Sequence, residues 1–89
     1  MKEQELEEVL VQEEVKEKSK LIIYNDDITE YGFVIFLLKS ICELTNISAE
    51  QCTLISHNTG KCIVRKGNKA DMTDMMTKLL DKGLGASVE

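Results

Sequence analysis

The chain is predicted to fold as a two-layer α/β domain, an α+β sandwich in which a small three-stranded antiparallel sheet is packed with helices. Three observations predict this. Short β-branched or alternating runs bounded by turn residues occur three times. The stretches between them carry apolar residues at helical spacing. The resulting order is strand, helix, helix, strand, helix, strand, and three strands cannot cover their own faces. At 89 residues the chain makes one domain with a limited core.

Each element has its own signal. Lys20 to Tyr24 reads as the first strand, stopped by Asn25-Asp26-Asp27. Tyr31 to about Leu44 reads as a helix, with Tyr31, Val34, Ile35, Leu38, Ile41 and Cys42 on one stripe. Phe33, Phe36 and Leu37 widen that stripe, so burial on more than one side is expected. Thr29 is the expected N-cap, with Asp27 as the alternative. Ser48-Ala49-Glu50-Gln51 is a capping-box pattern opening a short second helix with Ala49, Cys52 and Ile55. His57-Asn58-Thr59-Gly60 ends it as a turn. Lys61 to Arg65 reads as the second strand and Lys66-Gly67-Asn68 as a turn. Asn68 can cap a third helix, with Asp71 favourable in its first turn. Met72, Met75, Met76 and Leu79 share one face of that helix, and Gly83 stops it. Leu84, Ala86 and Val88 alternate with Gly85, Ser87 and Glu89, the pattern of a half-buried final strand.

Composition narrows the function. The chain is 43% hydrophobic and 30% charged, as in globular proteins. A net charge of −5 argues against nucleic acid and against anionic membrane surfaces as partners. Residues 1 to 19 hold seven glutamates and three lysines, and so carry −4 of that charge. Leu6, Val9 and Leu10 make only a weak stripe there, so 1–19 is expected to be a mobile acidic extension and 20–89 the folded domain. No apolar run is long enough to cross a bilayer, and the N-terminus has no signal-peptide core. A cytoplasmic monomer is expected.

Chemistry-bearing motifs are few. There is no Gly-rich phosphate loop and no nucleophile elbow. Asp26 and Asp27 are adjacent, and in an extended segment they point to opposite sides, which makes a poor acid/base pair. No enzyme and no cofactor are expected. Cys42, Cys52 and Cys62 are three in number without a close pair, and read as buried reduced thiols. The even spacing of Cys52 and Cys62 about His57 suggests a metal-binding alternative. It lacks the four close ligands of structural zinc.

One combination goes further. A strand ends in Tyr24-Asn25-Asp26-Asp27, then come Ile28-Thr29 and a helix beginning at Tyr31 and containing Phe33-Val34. Downstream, His57-Asn58-Thr59-Gly60-Lys61 leads into a strand. Over residues 20 to 89 this resembles the ClpS adaptor family. The resemblance implies a non-enzymatic adaptor that binds substrates through a free, hydrophobic N-terminal residue (an N-degron). It implies delivery to the N-terminal domain of a Clp-type AAA+ unfoldase, ClpA- or ClpC-like. It also implies that Asn25, Asp26, Asp27 and His57 hold the α-amino group. Asp26 would dominate, and Asp27 would order the loop or add negative potential. The apolar pocket would be lined by Ile28, Thr29, Tyr31, Val34, Thr53, Ser56 and Leu84. A protein-interaction domain of the same fold with another partner is the alternative. This chain has Glu30, Thr53 and Asn58 where the family commonly has a proline, a methionine and an aromatic residue, and Thr53 is expected to relax discrimination at the pocket wall.

Overall fold

The computed structural model describes residues 18–89, and the expected acidic extension lies, up to residue 17, outside them. The elements run β1 (Lys18–Tyr24), α1 (Tyr31–Ser40), α2 (Asn46–Thr59), β2 (Lys61–Asn68), α3 (Lys69–Asp81) and β3 (Ala86–Val88). The sheet order is β2-β1-β3 with both pairings antiparallel, so the first strand is central. The predicted order and architecture are the ones observed.

Both long strands outrun their expected limits, and they do so together. Lys18 pairs with Asn68 and Ser19 with Gly67, so Lys66-Gly67-Asn68 is strand rather than turn. A β-bulge between Leu21 and Ile22 shifts the register in mid-ladder. Leu21 and Ile23 face the helices and are fully buried. Leu37, Leu38, Leu79 and Leu84 meet them there, at 2% exposure or less. Each such side chain contributes about 1.5–3 kcal/mol of apolar transfer energy, an upper figure for a real unfolded chain.

The helices correct several expectations. α1 stops at Ser40 rather than Leu44. Glu43 adopts a left-handed φ of 58°, and the Leu44 N–H donates to the Leu38 carbonyl at 3.2 Å, closing the turn. No glycine marks this stop, which hid it from the sequence. α1 buries only one side: Val34, Leu37 and Leu38 are inward, while Phe33 and Phe36 stack on the surface at 39% and 60% exposure. α2 begins before the capping-box serine. Thr45 is its N-cap and accepts from the Ser48 N–H at 3.2 Å. Ile55 is 47% exposed, and the buried face of α2 is Ala49, Cys52, Thr53 and Ser56. Asn68 caps α3 as expected, accepting from the Asp71 N–H at 2.8 Å.

Two turns set up the site. At the end of α2, Gly60 takes φ 97°, a conformation strained for any residue with a Cβ, and the chain enters β2 at once. At the end of α3, Gly83 at φ 90° makes a Schellman turn. There the Gly83 N–H donates to the Leu80 carbonyl at 3.0 Å and the Leu84 N–H to the Leu79 carbonyl at 3.1 Å. That second bond folds Leu84 back against the core.

Candidate functional site

Three segments converge at one end of the central strand. The Tyr24 N–H donates to the Gly85 carbonyl at 3.0 Å, and the Asn25 N–H donates to the Gly60 carbonyl at 2.9 Å. The Asn-Asp-Asp run is thereby held against the end of α2 and the turn after α3. His57 sits in the last turn of α2, one turn before the Gly60 cap.

Asp26 organises the loop that follows. Its Oδ1 accepts the Ile28 N–H at 3.0 Å and the Thr29 N–H at 2.5 Å, and its Oδ2 accepts the Thr29 hydroxyl at 2.9 Å. The Thr29 backbone bond foremost, then the Thr29 hydroxyl and the Ile28 N–H, hold the Asp26 carboxyl below the usual carboxylate range. Two expectations change here. Neither Thr29 nor Asp27 caps α1: Glu30 is the N-cap residue, without a side-chain bond. Among the described residues the loop is ordered by Asp26 rather than by the exposed Asp27. A carboxylate has about four acceptor positions, so Asp26 keeps about one, on Oδ2, for a further donor.

Beside this loop lies a pocket of about 180 Å³. That is below the roughly 300–1,000 Å³ of pockets for drug-sized ligands, and suits a single side chain. Asn25, Asp26, Asp27 and His57 border it, together with Thr29, Tyr31, Val34, Thr53, Ser56 and Leu84. Val34 and Leu84 also belong to the core, so they are at once packing residues and pocket wall. The hydroxyls of Thr53 and Ser56 donate within their own helix, to the Ala49 carbonyl at 2.7 Å and the Thr53 carbonyl at 3.2 Å. This satisfaction lets two polar residues be buried at 3% and 4% exposure.

Ile28 is the exception. It is 94% exposed and outside the pocket, because the bonds to Asp26 hold the loop backbone and leave its side chain to solvent. Tyr24 is the lining residue that the sequence did not suggest. Its hydroxyl bonds to that of Ser87 at 2.8 Å, and its position directly before Asn25 was the available signal.

The cysteines sit elsewhere. Cys42 and Cys52 are buried and Cys62 is half-buried. Burial pushes the Cys42 thiol up to about 11 against the opposing charge of Arg65, whose guanidinium donates to the Cys42 carbonyl at 3.0 Å. Burial foremost, with the neighbouring Cys62 thiol, also raises Cys52. The thiols of Cys52 and Cys62 both point at the Ile63 carbonyl, while His57 borders the pocket. Among the described residues no three His, Cys, Asp or Glu side chains group as metal ligands. No described helix is long and apolar enough to cross a membrane.

The chain is thus a small α+β sandwich with polar acceptors bordering a side-chain-sized pocket. The family model of the ATP-dependent Clp protease adaptor protein ClpS matches residues 14–87, and the chain belongs to that family, whose members are adaptors that partner Clp proteases. The structure of Agrobacterium tumefaciens ClpS2 bound to L-phenylalaninamide is similar, with a TM-score of 0.78 at 20% identity over 82% of this chain and 95% of that one. At that identity the likeness speaks for the fold. No curated protein sequence matches the chain.

Proposed function

We propose that this protein binds the free N-terminal residue of substrate proteins and delivers them to a Clp-type AAA+ unfoldase. The observation that carries the reading is the meeting of Asn25, Asp26, Asp27 and His57 on the border of one pocket walled by Val34 and Leu84. An α-ammonium is cationic and offers three N–H donors. Asn25 offers a carbonyl, Asp26 its remaining Oδ2 position, and neutral His57 a ring nitrogen. The charged bond to Asp26 is the strongest of these. Asp27 adds negative potential beside it. A hydrophobic first side chain then fills the pocket. Burying it contributes about 1.5–3 kcal/mol, which with the ammonium bonds fits micromolar affinity, near −8 kcal/mol. The bound L-phenylalaninamide of the similar A. tumefaciens structure supports the reading, since it carries a free amine and one apolar side chain.

The partner in this reading is the N-terminal domain of a ClpA- or ClpC-like unfoldase, and the acidic segment ahead of β1, residues 1–17, serves delivery rather than binding. A chain beginning at Lys18 is expected to bind substrate peptides normally and to fail to speed their degradation. The central test is fluorescence anisotropy with two Leu-initiated peptides, one free and one N-acetylated. Acetylation removes the charge and a donor, so only the free peptide should bind. Equal binding of both would sink the proposal.

A further inference from the structure

A second concavity adjoins the pocket. It holds about 370 Å³ between α1 and α2 and is lined by Tyr31, Ile35, Glu50, Gln51 and Leu54. Tyr31 is a wall of both cavities. Tyr31 and Leu54 remain 42% and 50% exposed, large for apolar side chains that sit beside one another. The Glu50 carboxylate is partly engaged, accepting from the Asn46 amide at 3.0 Å.

A substrate held by its first residue has little choice of path. Its ammonium is fixed at the acceptors and its first side chain points into the protein. An extended chain rises roughly 3.3 Å per residue, with alternate side chains on the same side. The second side chain therefore points to solvent. The third points back at the protein, roughly 6.6 Å along. That step is about the width of one aromatic ring, and one ring, Tyr31, is shared by the pocket and the groove.

We infer that this groove seats the third residue of the substrate and favours an apolar side chain there. The inference rests on the proposed recognition of a free first residue. Tyr31, Ile35 and Leu54 supply apolar surface for one side chain. A second copy of the chain is a poorer occupant, because a stable interface takes roughly 20–30 residues a side and five line the groove.

The test uses peptides labelled at the C-terminal end and beginning Leu-Ala-Ala, Leu-Ala-Leu or Leu-Leu-Ala, with an N-acetylated Leu-Ala-Ala control. Each is titrated by anisotropy against the full chain and against Leu54→Ala, which changes a half-exposed residue outside the pocket. Leu-Ala-Leu should bind roughly five-fold tighter than Leu-Ala-Ala, about the effect of burying one or two methylenes. Leu-Leu-Ala should gain nothing, and Leu54→Ala should cancel the third-residue gain. Equal gains at the second and third positions, or a gain that survives in Leu54→Ala, would overturn the groove assignment. If the free peptide outbinds the acetylated one but the third residue has no effect, the groove alone falls. If free and acetylated peptides bind alike, the amine reading falls and the groove with it. A dimer that Leu54→Ala dissociates would give the groove to a second copy, which also overturns the inference.

Discussion

The Tyr31 ring meets the His57 imidazole edge to face, with centroids 6.0 Å apart and planes at 82°. The first residue of α1 thus braces the last turn of α2 across the pocket mouth. Such a contact contributes about 0.5–1.5 kcal/mol beyond buried area, mostly by fixing geometry. Tyr31→Ala should free the His57 ring and weaken a Leu-initiated peptide several-fold while the melting temperature moves little. An unchanged dissociation constant would mean that His57 holds its orientation without Tyr31.

His57 can accept from an ammonium only when neutral. His57→Gln keeps a neutral acceptor and should retain most of the affinity, whereas His57→Ala removes it and should weaken a Leu-initiated peptide several-fold. Equal dissociation constants for the natural protein and His57→Ala would remove His57 from the acceptor set.

Asp26 makes a prediction about acid stability. Its folded-state pKa is lowered, chiefly by the Thr29 N–H. A lowered folded pKa means that ionised Asp26 stabilises the fold above the unfolded value of about 3.9, and that this contribution is lost as pH falls through the lower folded value. The melting temperature should drop in that acid range, and less steeply in Asp26→Asn. Parallel acid profiles would show that the loop bonds add no pH-linked stability.

Thr53 tests the pocket wall. It is nearly fully buried, and its hydroxyl is tied to the Ala49 carbonyl at 2.7 Å. Threonine leaves more room beside the ligand's Cβ than a methionine does, so Ile-initiated peptides should be tolerated. Thr53→Met should widen the Leu-to-Ile preference, by ~1–3 kcal/mol at most. Paired titrations on both proteins read the ratio. A constant ratio would remove Thr53 as a selectivity element. Because overpacking a core residue costs about 1–3 kcal/mol, thermal melts should accompany the comparison.

The sequence by itself determined the element order, the Asn68 cap, the Gly83 stop and the inward face of α3. These rest on local chemistry: periodicity, caps and glycine at positive φ act within a few residues. The Asn-Asp-Asp run and the His-x-x-Gly-Lys group were legible for the same reason, as compact groups of polar residues at element ends, although His57 to Thr59 proved to be the last turn of α2 rather than a turn after it. The tertiary structure alone decided what those groups face. Leu84 reaches the pocket only because the Schellman turn at Gly83 and the bond from Tyr24 to Gly85 bring it back to the first strand. The strands extend to Lys18 and Asn68 because each ladder supports the other, which no single segment reveals. Phe33 and Phe36 stay outside because α1 lies in a single layer of helices, while Thr53 and Ser56 go inside because their own helix satisfies their hydroxyls. Ile28 was expected in the pocket by its position in the family pattern, and the three bonds to Asp26 hold it away. Burial is a property of packing between segments, and hydrophobicity along one segment reports only part of it.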